Sequence, residues 1–182
     1  GDIDFDDNCD IVVAGSGSND LFKVLRSNQT VQTVSLNYPT SVLSVAYRKS
    51  NDSYYVGLSS GDIYRTTKAG AKTLLVDVGN QANSLTVAPV GFGAYGDFII
   101  SAEDNGQITA INPSNGTTTL LATPTSNISD VTSGPDGTLY AVAHNNGVVY
   151  TISAAGTVAT YTTTTAGMDG IVIAASNARM FL

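Results

Sequence analysis

Cysteine, histidine and tryptophan are almost missing from this chain. Its 182 residues include one cysteine, Cys9, one histidine, His144, and no tryptophan. One cysteine excludes an internal disulfide framework and a zinc site made of several cysteines. One histidine means that any histidine-based metal site or serine–histidine relay must be built around His144. The chain therefore has few routes to metal-dependent or nucleophilic chemistry.

Basic residues are also scarce. The chain has 8 Lys and Arg residues against 15 Asp and Glu, and its formal net charge is −7. Binding to nucleic acid depends on clustered Lys and Arg that neutralise phosphates, and the sequence has no such cluster. We therefore expect no nucleic-acid partner and no attraction to an anionic membrane surface. The abundance of Ser, Thr, Asn and Gly is typical of extracellular β-proteins, so we expect a secreted protein in an extracellular or periplasmic location.

Long hydrophobic runs are missing as well. The run at 171–175 is far too short to cross a bilayer, so we expect no membrane insertion. No stretch keeps a helical apolar period, which predicts minimal helix content. The sequence shows no signal peptide and starts with Gly1 instead of Met, which indicates a processed or excised chain.

What the sequence does contain is a repeated turn between two short apolar strands. Its four copies are anchored on Asn19, Gly61, Gly106 and Gly147, which lie 42, 45 and 41 residues apart. Second turns follow at 27–29, 68–70, 114–116 and 154–156. Turns of this composition supply φ > 0 and join antiparallel strands. Four strands in each repeat of this length predict an all-β fold, a β-propeller of four-stranded antiparallel blades.

The repeat also gives a count of blades. They cover about 1–38, 39–82, 83–126 and 127–167, with a partial fifth blade at 168–182. These four and a third blades form a single propeller segment over 1–182. A blade that stops after two strands leaves an unpaired edge, which natural proteins avoid. We therefore expect the segment to belong to a longer propeller, with self-association of two copies as the alternative.

Two turns carry a resemblance to a known family. Residues 3–13, Ile-Asp-Phe-Asp-Asp-Asn-Cys-Asp-Ile-Val-Val, resemble the turn of NHL and gluconolactonase-like β-propellers of the secreted bacterial type. Cys9 stands where that family usually has Gly. Residues 131–141 repeat the form, with Gly137 at the position of Cys9. The resemblance covers nearly the whole chain, and it implies the architecture more than an activity.

Gluconolactonase-like enzymes place Glu, Asn and Asp ligands for a divalent ion at the mouth of the propeller channel. The resemblance implies Asn127 and Asp130 for this role. No Glu lies on a predicted inner strand, and this departure puts the lactonase activity in doubt.

The sharpest local pattern is a ladder of aspartates near the start of the chain. Its members are Asp2, Asp4, Asp6 and Asp10. The ladder resembles the calcium loop of FG-GAP and VCBS repeats. Calcium binds about six to eight oxygen atoms, and alternate Asp side chains on a curved loop can converge on one ion. Asp7 stands where that loop usually has Gly, so two interpretations stay open: a calcium site, or a solvated acidic turn that needs no metal.

Other candidate binding residues lie at the rim and channel of the predicted propeller. They are Asp62, Glu103, Asp104, Asn127, Asp130 and His144. His144 precedes an Asn-Asn-Gly turn on the rim, where propeller loops commonly bind ligands. It is either part of a ligand site or an exposed turn residue.

A nucleophile, a base and an orienting carboxylate must meet in space for nucleophilic catalysis, and the sequence offers no histidine other than His144 as the base. We therefore expect a non-catalytic binding or scaffold module that presents its loops to a protein or glycan partner. One alternative is a metal-dependent hydrolase or lactonase with a divalent ion at the channel mouth. Another is a structural subunit that assembles through open blade edges.

Overall fold

The computed structural model describes residues 1–124, 127–173 and 180–181, and nearly all regular structure in them is β-strand. The first eight strands are β1 (Asp2–Phe5), β2 (Ile11–Ala14), β3 (Leu21–Val24), β4 (Val31–Ser35), β5 (Val42–Arg48), β6 (Ser53–Leu58), β7 (Asp62–Thr67) and β8 (Lys72–Asp77). The next eight are β9 (Ala82–Val87), β10 (Ile99–Glu103), β11 (Ile108–Ile111), β12 (Thr118–Ala122), β13 (Ile128–Ser133), β14 (Leu139–Ala143), β15 (Val148–Ile152) and β16 (Val158–Thr163). The last two are β17 (Val172–Ile173) and β18 (Met180–Phe181).

Each successive group of four strands forms one antiparallel sheet in chain order, and we call these sheets blades 1 to 4. Strands β17 and β18 form a separate two-stranded sheet. The predicted all-β fold of four-stranded antiparallel blades is therefore confirmed. The helical elements of the described residues are two three-residue 3-10 turns, Lys49–Asn51 and Gly93–Tyr95. In this described part of the chain, no helix has the length and apolar character of a membrane span.

The chain divides into two compact units, and the boundary falls inside β9. Unit 1 is Gly1–Ser84 and unit 2 is Leu85–Leu182. Strand side chains alternate between the two faces of a sheet, so each blade can offer one apolar face to a neighbour. Fully burying a Val, Leu or Ile side chain stabilises a fold by about 1.5–3 kcal/mol.

The core of unit 1 lies between blades 1 and 2. Val12, Ala14 and Leu21 of blade 1 are buried against Val45 and Val56 of blade 2. The aromatic rings of this cluster are two buried tyrosines, Tyr38 and Tyr54. Their phenol oxygens bond Thr66 at 2.6 Å and Asp6 at 2.9 Å. Both buried hydroxyl groups therefore have polar partners, as burial requires.

The core of unit 2 lies between blades 3 and 4. Ile100 and Ile108 from blade 3 pack in one cluster with Ile128, Leu139 and Ala141 from blade 4. Each of these side chains is fully buried. The cluster also contains small residues such as Ala102, Ala110 and Ala143, which let neighbouring sheets approach closely.

The turn glycines that mark the repeat are set by backbone geometry. Gly61 has φ +98, and a side-chain carbon there would lie 2.8 Å from the carbonyl oxygen of Asn80. Gly147 has φ +65 and approaches the backbone of Thr165 in the same way. Other residues rarely adopt this conformation, and here they would also collide with the linker that leaves the blade.

We call the first strand of each blade its inner strand. The inner strands of two blades share an irregularity in their pairing. The β5–β6 pairing shifts between Val42 and Ser44, and the β13–β14 pairing shifts between Ile128 and Asp130. The shifts fall at the same place in the repeat, next to the first residue of the inner strand. A bulge bends its strand and increases its twist. The shared bulge therefore supports the residue-by-residue alignment of the two repeats.

Candidate functional site

Four loop segments of unit 2 meet at one end of its blades. The N–H of Asn127 donates to the carbonyl oxygen of Asp104 at 3.0 Å. The N–H of His144 donates to the carbonyl oxygen of Asn127 at 3.1 Å, and that of Gly167 donates to His144 at 2.7 Å. We call the turn between the second and third strands of a blade its middle turn. These backbone bonds link the middle turns of blades 3 and 4 to the linkers that follow the two blades. They place three of the predicted residues, Asp104, Asn127 and His144, side by side.

We call the side chains of this region the unit 2 rim. Its members are Asp104, Asn127, His144, Asn145 and Asp169. His144 Nδ1 lies 2.7 Å from Asp169 Oδ1, and the two side chains are 40% and 80% exposed. The amide of Asn127 donates to Asn145 Oδ1 at 3.3 Å. The rim therefore presents carboxylates, amides and one imidazole to solvent on loops with a fixed backbone.

The rim backbone holds one unusual conformation. Asn127 has φ +58, in the left-handed region that Asn tolerates better than most side chains. Both its N–H and its carbonyl are used by the neighbouring turns. The linker into blade 4 is thus held from both sides, which fixes the position of His144.

Asp130 lies on strand β13, and its carboxylate bonds the segment that follows blade 4. Its Oδ2 accepts the N–H of Ile171 at 2.7 Å, so the carboxylate links inner strand β13 to the segment that leads into β17. In unit 1, Asp2 Oδ2 accepts the N–H of Val45 at 3.3 Å and Asp4 Oδ2 accepts that of Tyr47 at 2.6 Å. A similar connection therefore recurs: an aspartate on the first strand of one blade bonds the first strand of the next sheet, or the residue just before that strand.

Glu103 does not belong to the exposed rim, although its sequence neighbour Asp104 does. Its side chain is fully buried, and Oε1 accepts the hydroxyl hydrogen of Thr109 at 2.7 Å. Oε2 and the hydroxyl of Ser101 are buried without a hydrogen-bond partner in the described structure. Burial raises the pKa of Glu103, because desolvation penalises the carboxylate. All five residues of β10 are buried, so both faces of this strand lie in the interior and Glu103 lies there with them.

Asp62 lies in unit 1 and is not a member of the unit 2 rim. The hydroxyl of Ser60 donates to Asp62 Oδ2 at 2.8 Å, and the hydroxyl of Thr40 donates to Ser60 at 3.2 Å. This is a local polar cluster between the middle turn of blade 2 and the linker before it. Asp62 thus has its polar partners within unit 1.

The aspartate ladder is held by hydrogen bonds and by a lysine. Asp6 Oδ1 accepts the N–H groups of Asn8 and Asp10 at 2.9 and 3.1 Å. Asp10 Oδ1 accepts the N–H of Arg26 at 2.8 Å, which lowers the pKa of Asp10. Lys23 Nζ lies 3.6 Å from Asp6 Oδ2 and 3.4 Å from Asp10 Oδ2. These carboxylates stabilise the turn that joins β1 to β2.

The described side chains do not fit a calcium site. Asp2 and Asp4 bond the backbone of β5, whereas Asp6 and Asp10 bond their own turn and Lys23. Within residues 1–124 and 127–173, no group of three or more His, Cys, Asp or Glu side chains is placed to hold a metal ion. A cation such as Lys23 in this position competes with calcium for the same oxygens. Calcium binding by the ladder stays a prediction without geometric support.

Sequence patterns did not identify Asp169 as a rim residue. It lies 25 positions after His144 and belongs to no motif with it. In each repeat, the linker after the blade lies beside the middle turn. This regularity is the one signal in the sequence that could have indicated that the linker with Asp169 lies near His144. It could not have indicated which linker residue faces the imidazole.

Neither a protein-family model nor a curated protein matches the chain. Solved structures do match it. The virginiamycin B lyase of Staphylococcus aureus has a TM-score of 0.77 and 18% identity over 98% of this chain and 61% of that chain. A streptogramin B lyase has a TM-score of 0.77 and 19% identity over 98% and 59%. A nidogen/laminin complex has a TM-score of 0.76 and 12% identity over 87% and 63%.

These likenesses confirm the β-propeller repeat architecture. At such identities they carry the fold alone, since one fold hosts many unrelated functions. The chain spans between 59% and 63% of the length of these three structures. The narrower resemblance to NHL and gluconolactonase-like propellers of the secreted type stays a prediction.

Proposed function

We propose that this chain is a non-catalytic binding segment of a β-propeller and that the unit 2 rim contacts a protein partner. The observation that carries the proposal is the exposed His144–Asp169 pair, held on loops that backbone hydrogen bonds fix in place. A preordered loop loses little conformational entropy on binding, so its polar contacts contribute more to affinity. The likeness in fold to a protein found in complex with laminin supports a protein as the partner.

The charge of the rim favours a basic or amide-rich partner segment. Asp104 and Asp169 supply carboxylates, and Asn127 and Asn145 supply amides that both donate and accept. The net charge of −7 attracts positively charged partners at long range and raises their association rate. The composition further supports a location outside the cytoplasm, extracellular or periplasmic.

Site-specific crosslinking tests this proposal. A photo-crosslinking residue replaces Asn145 on the rim, and a control places it at Asn115, an exposed turn residue at the other end of blade 3. We expect protein adducts from Asn145 and few from Asn115 when the chain is exposed to the secreted proteins of its source. Equal labelling at both positions would contradict the proposal, and adducts that glycosidases remove would identify a glycan partner instead.

A second candidate function rests on the same imidazole. A carboxylate 2.7 Å from Nδ1 holds the histidine ring in one orientation. Lyases are among the matched folds, so an acid–base role for His144 in a lyase or lactonase reaction is the competing proposal. Turnover of lactones or of a streptogramin B by the chain, lost in His144→Ala and kept in Asn115→Ala, would favour it.

A further inference from the structure

Blade 1 has an apolar face that points away from blade 2. Its strand register brings seven side chains to that face: Ile3, Phe5, Ile11, Val13, Phe22, Val24 and Val31. We call this surface the free face of blade 1. Ile3, Phe5 and Val31 are 58%, 57% and 67% exposed, and the other four are half-buried. An exposed apolar surface of this continuity marks an interaction site.

The opposite face of blade 1 is also apolar, and it packs against a neighbouring blade. Val12, Ala14 and Leu21 are buried there against blade 2. At the inner edge of the same contact, Asp2 and Asp4 accept backbone N–H groups from β5. Sheets in this chain therefore pack through an apolar face, together with aspartates on one inner strand that bond the next inner strand.

The edge of β1 that does not pair with β2 carries backbone N–H groups equivalent to the donors of β5. Ile3 and Phe5 follow Asp2 and Asp4 along β1, as Val45 and Tyr47 lie along β5. Their N–H groups donate to the carboxylates of the residues just before them, Asp2 at 2.8 Å and Asp4 at 2.7 Å. Bonds between adjacent residues replace the inter-blade bonds that the matching donors of β5 make. The inner edge of β1 is thus ready to donate to an incoming acceptor.

From these observations we propose that the free face of blade 1 is the docking surface of a further four-stranded blade of the same repeat. Such a blade supplies an apolar face to cover Ile3 and Phe5 and an acidic inner-strand side chain to accept their N–H groups. The matched propellers extend well beyond the portion that this chain spans, so additional repeats are available in proteins of this architecture. The lack of charged side chains on the face disfavours a nucleic acid or a charged ligand as occupant.

Hydrogen exchange tests the proposal directly. Exchange of the Ile3 and Phe5 amides is measured in the 182-residue chain and in the polypeptide encoded by the whole reading frame that contains it. We expect fast exchange in the first and strong protection in the second. A reading frame that adds no further repeat, or equally fast exchange in both polypeptides, would overturn the proposal. Protection in the 182-residue chain that grows with its concentration would also overturn it and would identify a second copy as the occupant.

A matched pair of variants gives an independent readout. Phe5→Ser and Leu74→Ser each remove one apolar side chain that is about half exposed in this chain, at 57% and 51%. Only Phe5 lies on the free face, whereas Leu74 lies on outer strand β8 of blade 2. We expect Phe5→Ser to lower the urea midpoint of the longer polypeptide more than that of the 182-residue chain. Leu74→Ser should lower both midpoints by similar small amounts, and the same behaviour from Phe5→Ser would refute the proposed contact.

Discussion

Cys9 occupies a backbone position that suits glycine. Its φ is +58, and Gly137, at the corresponding place in blade 4, has φ +80. Each N–H closes a turn, from Cys9 to the carbonyl of Asp6 at 2.9 Å and from Gly137 to Gly134 at 3.1 Å. The resemblance that aligned the two residues is therefore also a similarity of conformation. A side chain in the left-handed region costs roughly 1–2 kcal/mol.

We expect Cys9→Gly to raise the free energy of unfolding by about 1 kcal/mol, because Gly adopts positive φ without this cost. Urea denaturation of the wild type and the variant measures the change. Cys9→Ala removes the thiol while keeping the strained conformation, so it should leave stability nearly unchanged. A gain in Cys9→Ala equal to that in Cys9→Gly would show that the thiol, and not the backbone, is responsible.

Glu103 is the buried acid of blade 3, and its raised pKa gives stability a pH dependence. Desolvation raises the pKa, and the Thr109 hydroxyl offsets only part of this effect. The folded state therefore binds more protons than the unfolded state at pH values between the two pKa values. The contribution of Glu103 is most favourable below its unfolded pKa and is lost as the pH rises through its folded pKa.

We expect Glu103→Gln to be more stable than the wild type at neutral pH, because Gln carries no charge to bury. The advantage should shrink as the pH falls below the unfolded pKa of Glu, where the wild-type side chain is protonated as well. Chemical denaturation across a pH series measures the difference, with exposed Asp104→Asn as the control for a nearby charge. A difference that does not change with pH would contradict the assigned cause.

At the scale of single elements, the inner strands are joined by carboxylates. Asp4 of β1 bonds Tyr47 of β5, and Asp130 of β13 bonds Ile171 ahead of β17. Burial raises the pKa of Asp4 although two backbone N–H groups bond it. An alternating Asp-x-Asp pattern is shared by a metal loop and by a strand edge that bonds its neighbour. The sequence of the ladder therefore fits both a metal loop and a strand edge. The bonds from the ladder to β5 support the strand-edge interpretation.

Asp4→Ala should destabilise the chain by about 1–3 kcal/mol, because the part-buried N–H of Tyr47 loses its acceptor. Thermal or urea unfolding measures the loss. Asp4→Asn keeps a carbonyl oxygen in place and should lose less. Asp104→Ala, at an exposed turn, is the matched control and should change stability little. Equal losses from Asp4→Ala and Asp104→Ala would show that the link between β1 and β5 is not important for stability.

The turn between β1 and β2 gives a test of the metal interpretation. Lys23 neutralises Asp6 and Asp10 at 3.6 and 3.4 Å, so the turn has its own cation. We expect millimolar calcium to shift the thermal midpoint no more than magnesium does. We also expect Lys23→Met to lower the midpoint, because it leaves two poorly exposed carboxylates without a counter-charge. A rise that is specific to calcium would restore the metal site.

At the scale of the whole molecule, the fold was predictable because its signals are local. Gly61 and Gly147 mark turns through a backbone requirement that any reader of the sequence can recognise. The rim was only partly predictable. Asp104, Asn127 and His144 come together because linkers lie beside turns, but Asp169 meets His144 through packing that no short motif encodes. Glu103 lies in the interior and not at the rim, because β10 is buried on both faces, which the neighbouring turn residues did not indicate.

Binding by the unit 2 rim is measured as the affinity of a partner recovered by crosslinking at Asn145. Asp169→Asn removes the rim charge that faces His144, and Asp62→Asn makes the same chemical change in unit 1. We expect Asp169→Asn to weaken binding about tenfold or more, equivalent to about 1.4 kcal/mol, and Asp62→Asn to leave the affinity nearly unchanged. Equal affinities for wild type and Asp169→Asn, or an equal loss in both variants, would show that the rim is not the binding surface.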